Sequence, residues 1–328
     1  MTGSGPTPQP VCSPLTRAAV FLVFTVDPGG ESGVRSLLEE LTGLVRSVGF
    51  RAPAAGLACV VGIGSQAWDR LFAGPRPAEL HRFAGVAGER HRAPSTPGDL
   101  LLHIRAEAMD VCFELAAVVT SRLSGQASVV DEVHGFQYFD ERDLLGFVDG
   151  TENPSGAQAH SVATVGDEDP AFAGGSYVLV QRYLHDLSSW DGLTVEEQEK
   201  VVGRTKLSNI ELGDDVKPSN SHVALNVVED EEGRPLQILR ANMPFGNVGR
   251  CEHGTYYIAY CRTPAIVEKM LERMFVGNPP GNYDRILDYS TATTGSLYFA
   301  PPVELLDELP PPAAGVSGEI PDTDLEGR

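Results

Sequence analysis

Residues 18–26 read AAVFLVFTV, an apolar stretch with several β-branched side chains. This composition predicts a strand that is buried on both faces. A helix is predicted directly after it, because Ser32 is suited to cap a helix and apolar residues then recur at helical spacing, at Leu37, Leu38, Leu41, Leu44, Val45 and Val48. The chain therefore begins its ordered part as a strand followed by a helix.

The next hundred residues complete a unit of four strands and two helices. LACVVGIG (57–64), LLHIRA (101–106) and VVDEVHGFQYF (129–139) are typical of strands. A helix is predicted from about Met109 to Leu123, with Gly125 placed to end it, and a short helix is inserted around residues 66–72. The resulting order is β-α-β-β-α-β.

The second half of the sequence repeats this order. SYVLVQRYL (176–184), PLQILRANM (235–243), TYYIAYC (255–261) and GSLYFAP (295–301) are predicted strands. Thr194 and Glu197 form a capping box for a helix that extends toward Lys206, and Thr263 with Pro264 begins another helix. Two consecutive units of this kind predict an α+β protein with antiparallel sheets and helices on one face of each sheet. The other faces must pack against each other or against a ligand.

Composition excludes several classes of function. The 328 residues include 25 Lys and Arg against 45 Asp and Glu, a formal net charge of −20, and 42% of the residues are hydrophobic. This balance argues against a mostly disordered chain, and the acidic excess argues against nucleic acid or an anionic membrane as the main partner. The five cysteines are scattered without C-x-x-C spacing, so neither a disulfide framework nor a structural zinc site is predicted.

The two ends of the chain differ from its centre. Residues 1–14 are rich in Pro, Ser and Thr and are predicted to form a flexible arm. From Leu309 onward the sequence has no apolar periodicity, so residues 309–328 are predicted to be a disordered or extended tail. No signal sequence or apolar run of ~20 residues is present, and we expect a soluble cytoplasmic protein.

The densest polar cluster is DERDLLGFVDGTENPSG, residues 140–156. Asp149 and Gly150 are a strong turn signal on their own. The cluster nevertheless holds more polar residues than a two-residue turn requires, and Asp149 follows an apolar run. On this pattern alone, a turn and a functional carboxylate both stay open.

Two further segments contain candidate functional side chains. His222 lies in KPSNSHVALNVV, where it is either a structural histidine or a metal or haem ligand. Arg240 and Asn242 in ILRANMPFG have the i, i+2 spacing that places two side chains on one face of a strand. They are either surface groups or a cation and an amide that point together into a cavity.

Taken together, these segments resemble the dye-decolourising peroxidases, a haem-dependent family. GFVDGTENP (146–154) contains the family's G-x-x-D-G signature, SNSHVALN (219–226) is similar to the segment with the proximal haem histidine, and ILRANMPFG (238–246) is similar to the distal arginine segment. The resemblance covers about residues 11–308 and is nearest to the bacterial B-type subgroup.

The resemblance implies a fold and a cofactor. The fold would be two tandem ferredoxin-like modules of the dimeric alpha-beta barrel-like superfamily, with an N-terminal module over residues 15–145 and a haem-binding module over residues 146–308. Haem b would be bound in the second module with His222 as the axial iron ligand and Asp284 hydrogen-bonded to it. Further contacts to haem would come from Arg204, Thr151, Glu152 and Asn153.

The resemblance also implies an activity. Asp149, Arg240 and Asn242 would surround hydrogen peroxide, which is reduced through a ferryl intermediate, and the enzyme would then oxidise dyes, phenolic or lignin-like compounds and possibly Mn²⁺ by one-electron steps. The aromatic residues Tyr183, Trp190 and Tyr289 are either electron relays or ordinary packing residues. A haem-handling protein and a chlorite-dismutase-like enzyme are the alternatives. A homo-oligomer is expected, and some members of the family are cargo of an encapsulin shell, which the acidic end DTDLEGR leaves open.

Overall fold

The computed structural model describes residues 5–316. Within these residues the α-helices are α1 (Glu31–Gly49), α2 (Ser65–Leu71), α3 (Met109–Arg122), α4 (Gly156–Ala163), α5 (Leu187–Asp191), α6 (Val195–Val202), α7 (His222–Asn226), α8 (Pro264–Phe275) and α9 (Val303–Asp307). Short 3₁₀-helices cover Pro53–Ala55, Phe139–Glu141, Pro170–Phe172, Val248–Arg250 and Arg285–Asp288.

The strands fall into two sets of four long strands, together with short pairs. The first set is β1 (Ala18–Val26), β2 (Ala58–Gly64), β5 (Leu100–Ala106) and β6 (Ala127–Phe136), and the second is β7 (Ser176–His185), β11 (Met243–Asn247), β12 (Glu252–Cys261) and β14 (Ser296–Ala300). The short strands are β3 (Val86–Ala87), β4 (Arg92–Ala93), β8 (Val228–Glu229), β9 (Pro235–Leu236), β10 (Leu239–Arg240) and β13 (Ser290–Ala292).

Both sets have the same antiparallel topology. The first set is ordered β6-β1-β5-β2 and the second β14-β7-β12-β11, which is the order fourth, first, third, second in each case. The two sets join where Phe245 pairs with Gly135 and where Tyr298 pairs with Gly64, so that the strands form one continuous network. The predicted α+β fold with two ferredoxin-like modules is confirmed.

The strand β1 shows how each face of the sheet is buried. Val20, Leu22 and Phe24 belong to the core beneath the helices, whereas Ala19, Phe21 and Val23 belong to a second core shared with the other module. Every one of these side chains is at most 5% exposed. Because one face packs on helices and the other on the partner module, β1 is apolar at almost every position.

Three local predictions require correction. Helix α1 begins at Glu31 with Gly30 as its N-cap, so Ser32 lies inside the first turn rather than capping it. Helix α6 has the predicted capping box but ends before Gly203, whose φ of +96° stops it short of Lys206. The segment PLQILRANM is not one strand, because only β9 and β10 and the start of β11 pair within it.

The predicted flexible arm is packed where the structure describes it. Gln9 and Val11 are buried. The side-chain amide of Gln9 donates to Val61 O and to Pro301 O, each at 2.9 Å. The arm thereby links the two modules, a role that its composition does not indicate. In the tail, Ala73 N donates to Pro311 O at 2.7 Å, and residues 317–328 lie outside the described residues. Among residues 5–316, no helix combines the length and apolar character that a membrane crossing requires.

Candidate active site

The second module contains two adjoining cavities, of about 210 and about 140 Å³. They share a set of lining residues that mixes charged, polar and apolar side chains: Val148, Asp149, Val202, His222, Asn226, Arg240 and Met270. The remaining walls combine apolar and polar side chains. The apolar ones include Phe147, Val223, Leu236, Ile238, Leu271 and Met274, and the polar ones include Asp143, Glu152, His185, Arg204, Glu211, Asn242 and Thr255. Three of the sequence segments singled out as candidates therefore meet at one place.

His222 is the first residue of α7 and is held by a buried carboxylate. Its Nδ1 lies 2.7 Å from Oδ2 of Asp284, whose side chain is fully buried. Burial alone lowers the pKa of His222, but the charge and hydrogen bond of Asp284 outweigh it, so that the pKa of the ring is raised. Since Nδ1 is occupied, Nε2 is the nitrogen left for a ligand in the cavity.

Asn226 is a third member of this group, which the sequence did not identify. Its Nδ2 donates to His222 O at 2.7 Å and lies 3.4 Å from Oδ2 of Asp284. The available signal was the i, i+4 spacing of His222 and Asn226, which places two residues on one face of a helix. The amide therefore fixes the turn that presents the imidazole.

Asp149 and Asn242 form a hydrogen-bonded pair in the second of the two cavities. Asn242 Nδ2 donates to Asp149 Oδ2 at 3.0 Å, and Asn242 Oδ1 accepts from Ile258 N at 3.1 Å. Asp149 Oδ1 accepts from Gly150 N at 2.7 Å, where Gly150 has a φ of +74°. Asp149 lies at a bend, and the turn that follows it is closed by Asn153 N donating to Gly150 O at 3.0 Å. The local backbone thus orients the carboxylate, so a turn and a candidate functional carboxylate are compatible.

Arg240 lies at the end of β10 and is fixed through its backbone rather than through its guanidinium. Asn153 Nδ2 donates to Arg240 O at 2.7 Å, and Arg240 N donates to Asn153 Oδ1 at 2.9 Å. Over residues 5–316 the guanidinium has no hydrogen bond or ion pair, and its Nε is a buried donor without a partner. A buried donor without a partner is costly, so this group is suited to receive a ligand.

Three of the remaining predicted contacts, Thr151, Glu152 and Arg204, line the larger cavity. Arg204 donates to Glu152 Oε1 at 3.0 Å, makes two further hydrogen bonds with Asn209, and lies 3.8 Å from Glu211 Oε2. Thr151 Oγ1 accepts from Asn209 Nδ2 at 2.9 Å. The side chain of Asn153 forms its hydrogen bonds with the backbone of Arg240, so it positions Arg240 and is not free to contact haem through those two atoms.

Asp143 is a further carboxyl group that lines the smaller cavity and that sequence patterns did not single out. Its Oδ1 accepts from Phe147 N at 2.9 Å, which closes the turn that leads to Asp149. Burial raises the pKa of Asp143 to about 7, against the opposing effect of the Phe147 hydrogen bond. No local pattern distinguishes this aspartate from Asp140 in the same polar cluster.

The three candidate relay residues have ordinary packing contacts. Trp190 is fully buried, donates from Nε1 to Leu145 O at 2.9 Å, and packs edge-on against Tyr289 with 5.2 Å between ring centroids. Tyr183 lines the smaller cavity and donates to Gln181 Oε1 at 2.9 Å.

The residues of the cavity fit an iron porphyrin. The apolar parts of the walls suit a flat aromatic macrocycle, His222 offers one ring nitrogen as an axial ligand, and the guanidinium of Arg240 is without a partner among the described residues. His222 would hold the iron, Asp284 would fix its ring, and Arg204 is the cation of the larger cavity that could face a propionate. The donor set of one imidazole is typical of haem proteins.

Two family models match the chain and together span most of it. The model described as Dyp-type peroxidase, N-terminal, matches residues 8–137, and the model described as Dyp-type peroxidase, C-terminal, matches residues 140–305.

Relatives with known names and structures are similar over nearly the whole chain. A dye-decolorizing peroxidase from Rhodococcus erythropolis (strain PR4 / NBRC 100887) is 64% identical over 303 residues, which are 92% of this chain and 89% of the relative. The encapsulated DyP-type peroxidase from Mycobacterium smegmatis has a TM-score of 0.92 and 63% identity, over 94% of this chain and 99% of that one. A variant of DypB from Rhodococcus jostii RHA1, solved in complex with heme, has a TM-score of 0.90 and 54% identity, over 92% of this chain and 98% of that one.

Proposed function

The chain belongs to the Dyp-type peroxidase family and is a haem peroxidase, and we propose that His222 holds the haem while Asp149, Arg240 and Asn242 assist the reduction of hydrogen peroxide at its iron. The observation that supports this division most strongly is the guanidinium of Arg240, which reaches the same cavity as His222 and has no partner among the described residues. The haem-handling and chlorite-dismutase-like alternatives are not favoured, because relatives at 60–64% identity are named peroxidases.

The haem contributes the iron at which peroxide is reduced, and the protein contributes charge and proton transfer. The guanidinium cation of Arg240 stabilises the negative charge that develops on the departing oxygen. Two hydrogen bonds between Asn153 and the backbone of Arg240 hold this residue at the cavity.

Asp149 is the proton carrier in this proposal. Peroxide must lose a proton from one oxygen and gain it on the other, and a carboxylate can accept and return that proton directly or through one water. Asn242 donates to Asp149 Oδ2 and keeps the carboxylate turned toward the cavity. Asn242 is therefore proposed to orient the proton carrier and to hold the peroxide or a water beside it.

His222 and Asp284 form the second polar group of the site. The carboxylate of Asp284 accepts a hydrogen bond from Nδ1 of His222, which makes Nε2 a stronger electron donor to iron. Asn226 donates to the same pair and holds its geometry. Arg204 is proposed to bind a propionate, with Thr151 and Glu152 as neighbouring contacts.

We propose that dyes and phenolic or lignin-like compounds are the reducing substrates. Such molecules are too large for a cavity of about 140 Å³, so they would be oxidised at the haem edge or at a surface aromatic residue. Mn²⁺ is a further candidate, because a variant of a similar protein named DypB, 54% identical to this chain, was solved in complex with manganese. Within residues 5–316, no group of three His, Cys, Asp or Glu side chains is arranged to hold a metal ion by itself.

A shell compartment is a proposal for the cellular location. The relative from Mycobacterium smegmatis is described as encapsulated. We propose that this chain can also be cargo of an encapsulin shell in the cytoplasm and that it forms a homo-oligomer. Sedimentation of the chain with and without its final residues, in the presence of shell protein, tests the first point.

Absorption spectra and dye oxidation test the proposed function together. The purified holoprotein should show a Soret band and oxidise a phenol or dye only when peroxide is added. His222→Ala should lose the Soret band, and added imidazole should restore it in part. A holoprotein that binds haem but shows no peroxide-dependent oxidation would make the haem-handling alternative the better one.

A further inference from the structure

A column of stacked aromatic rings fills the core between the two modules, outside the haem cavity. Phe21 stacks on Tyr256, with 4.1 Å between ring centroids, and on His103, with 4.7 Å between centroids. Nδ1 of His103 lies 2.8 Å from the hydroxyl of Tyr260. All four rings are at most 1% exposed, so the column ends in a tyrosine–histidine hydrogen bond that water does not reach.

Met243 connects this column to the peroxide-binding residues. It lines a small cavity of about 60 Å³ together with Asp149, Arg240 and Asn242. Gly135 leaves the necessary room, since a Cβ there would lie 3.0 Å from Met243 Sδ and 3.3 Å from the Phe21 ring. Met243 is also the cross-strand partner of Tyr256. Met243 therefore belongs both to the lining of this small cavity and to the buried cluster that contains Phe21, Tyr256 and Tyr260.

The Tyr260–His103 hydrogen bond has the chemistry of a redox pair. A phenol loses an electron readily only when its proton can leave at the same time, and in a buried site the proton needs an acceptor within hydrogen-bond distance. Burial and the nearby Arg105 lower the pKa of His103, so the ring is neutral and its Nδ1 can accept. Because an oxidised phenol is a strong acid, even a weakly basic imidazole takes its proton.

Other buried tyrosines lack such an acceptor. The hydroxyls of Tyr256 and Tyr298 have no hydrogen-bond partner among the described residues. Tyr183 donates to the amide oxygen of Gln181, which is far too weak a base to take the proton. Tyr260 is therefore the buried tyrosine of this set that can form a neutral radical.

We propose that Tyr260 and His103 form a redox-active site that takes an oxidising equivalent from the haem when no reducing substrate is present. One electron passes from Tyr260 through the aromatic column to the cofactor that peroxide has oxidised, and the phenolic proton moves to His103 Nδ1. The products are a neutral tyrosyl radical and an imidazolium. An electron from a later reducing substrate restores the phenol, and His103 returns the proton.

This site would protect the cofactor. Without a reductant, an oxidised haem damages itself and the residues around it. A buried tyrosyl radical would hold the same oxidising equivalent with less damage. The positive charge of Arg105 disfavours the imidazolium, so the radical is a transient store that is readily reduced. The inference rests on the proposed haem position beside Arg240.

Electron paramagnetic resonance of the holoenzyme, frozen after mixing with peroxide without reductant, tests the proposal. The unmodified enzyme should give a tyrosyl radical signal. Tyr260→Phe should lose it, and so should His103→Phe, which keeps an aromatic ring in the column but removes the proton acceptor. The matched control Tyr298→Phe should keep it. Tyr260→Phe should also lose its Soret band faster than the unmodified enzyme during repeated peroxide additions.

Isotope labelling keeps the test decisive if a core variant fails to fold. Ring-deuterated tyrosine in the unmodified enzyme should narrow the radical signal, and no narrowing would contradict the proposal. A full tyrosyl signal in both Tyr260→Phe and His103→Phe, with normal Soret bands and peroxide consumption, would overturn the inference and leave the proposed function standing. A holoenzyme that does not react with peroxide at all would instead contradict the proposed function, and the inference with it.

Discussion

His222 and Arg240 reach the same cavity, but their side chains differ in whether other protein groups bind them. Nδ1 of His222 is bound to the buried carboxylate of Asp284, and Asn226 supports both groups. The guanidinium of Arg240 has no partner within residues 5–316, although its backbone is held on both sides by Asn153. One ring nitrogen of His222 is thus fixed by a carboxylate so that the other can bind a ligand, whereas the whole guanidinium of Arg240 is left for a ligand.

The largest effect is expected from removing His222, the proposed iron ligand. His222→Ala should abolish haem binding and the Soret band, because it removes the axial imidazole. His185 also lines the smaller cavity, but both of its ring nitrogens lie within hydrogen-bond distance of hydroxyl groups, Ser290 Oγ at 2.7 Å and Thr255 Oγ1 at 2.9 Å. The variant also leaves Asp284 buried without its partner, which costs roughly 1–3 kcal/mol of folding stability. His222→Gln is the control, since its amide can still donate to Asp284. Retention of a normal Soret band in both variants would show that another residue ligates the iron.

A smaller loss of activity is expected from changing Asp149, the proposed proton carrier. Asp149→Ala should keep haem but react with peroxide about 10²-fold more slowly, because a positioned proton carrier typically contributes at least that much. Stopped-flow absorbance gives the rate constant. Asp149→Asn is the matched control, since it keeps the shape and the hydrogen bond from Gly150 but cannot carry the proton. Full activity in Asp149→Asn would show that the carboxylate does not move protons.

The partner of His222 should influence the iron rather than the peroxide. Asp284→Asn removes a negative charge that makes the imidazole a stronger donor, so the Fe(III)/Fe(II) midpoint potential should shift to more positive values. The asparagine oxygen can still accept from Nδ1, and haem should stay bound. Spectroelectrochemical titration measures the shift. An unchanged potential would mean that Asp284 only orients the ring.

The smallest effect is expected from the support of Arg240. Asn153→Ala removes two backbone hydrogen bonds of about 1 kcal/mol each. The peroxide rate constant should fall only a few-fold, and the unfolding midpoint should fall slightly, while the Soret band is unchanged. Asn209→Ala is a useful comparison, because Asn209 contacts Thr151 and Arg204 but not Arg240. Equal effects of the two variants on peroxide reduction would argue against a specific role for Asn153.

Most of the fold follows from the sequence because the strands are long and buried on both faces. The continuous apolar run of β1, buried on both faces, and the capping box of α6 are local features with strong physical causes, and both predictions are confirmed. The helix start at Glu31 and the early end at Gly203 depend on single backbone conformations that composition does not fix. The buried arm depends on one side chain, Gln9, reaching across two modules.

Sequence patterns identified only part of the candidate site. Asp149, His222 and Arg240 were identified because each lies in a distinctive segment, and the structure brings them to the same pair of cavities. Asn226 and Asp143 were missed, since their contacts depend on how separate loops pack in space. The predicted assignment of catalytic and haem-binding roles, and the module boundary at residue 146, remain predictions.

The rate of reaction between peroxide and Arg240→Leu tests the central claim most directly. We predict a variant with normal haem content and a normal resting spectrum whose bimolecular rate constant with peroxide, measured by stopped-flow absorbance, falls by about 10²–10³-fold. Arg240→Lys should retain part of the rate, because it keeps the charge without the planar fork. A rate constant for Arg240→Leu equal to that of the unmodified enzyme would contradict the account.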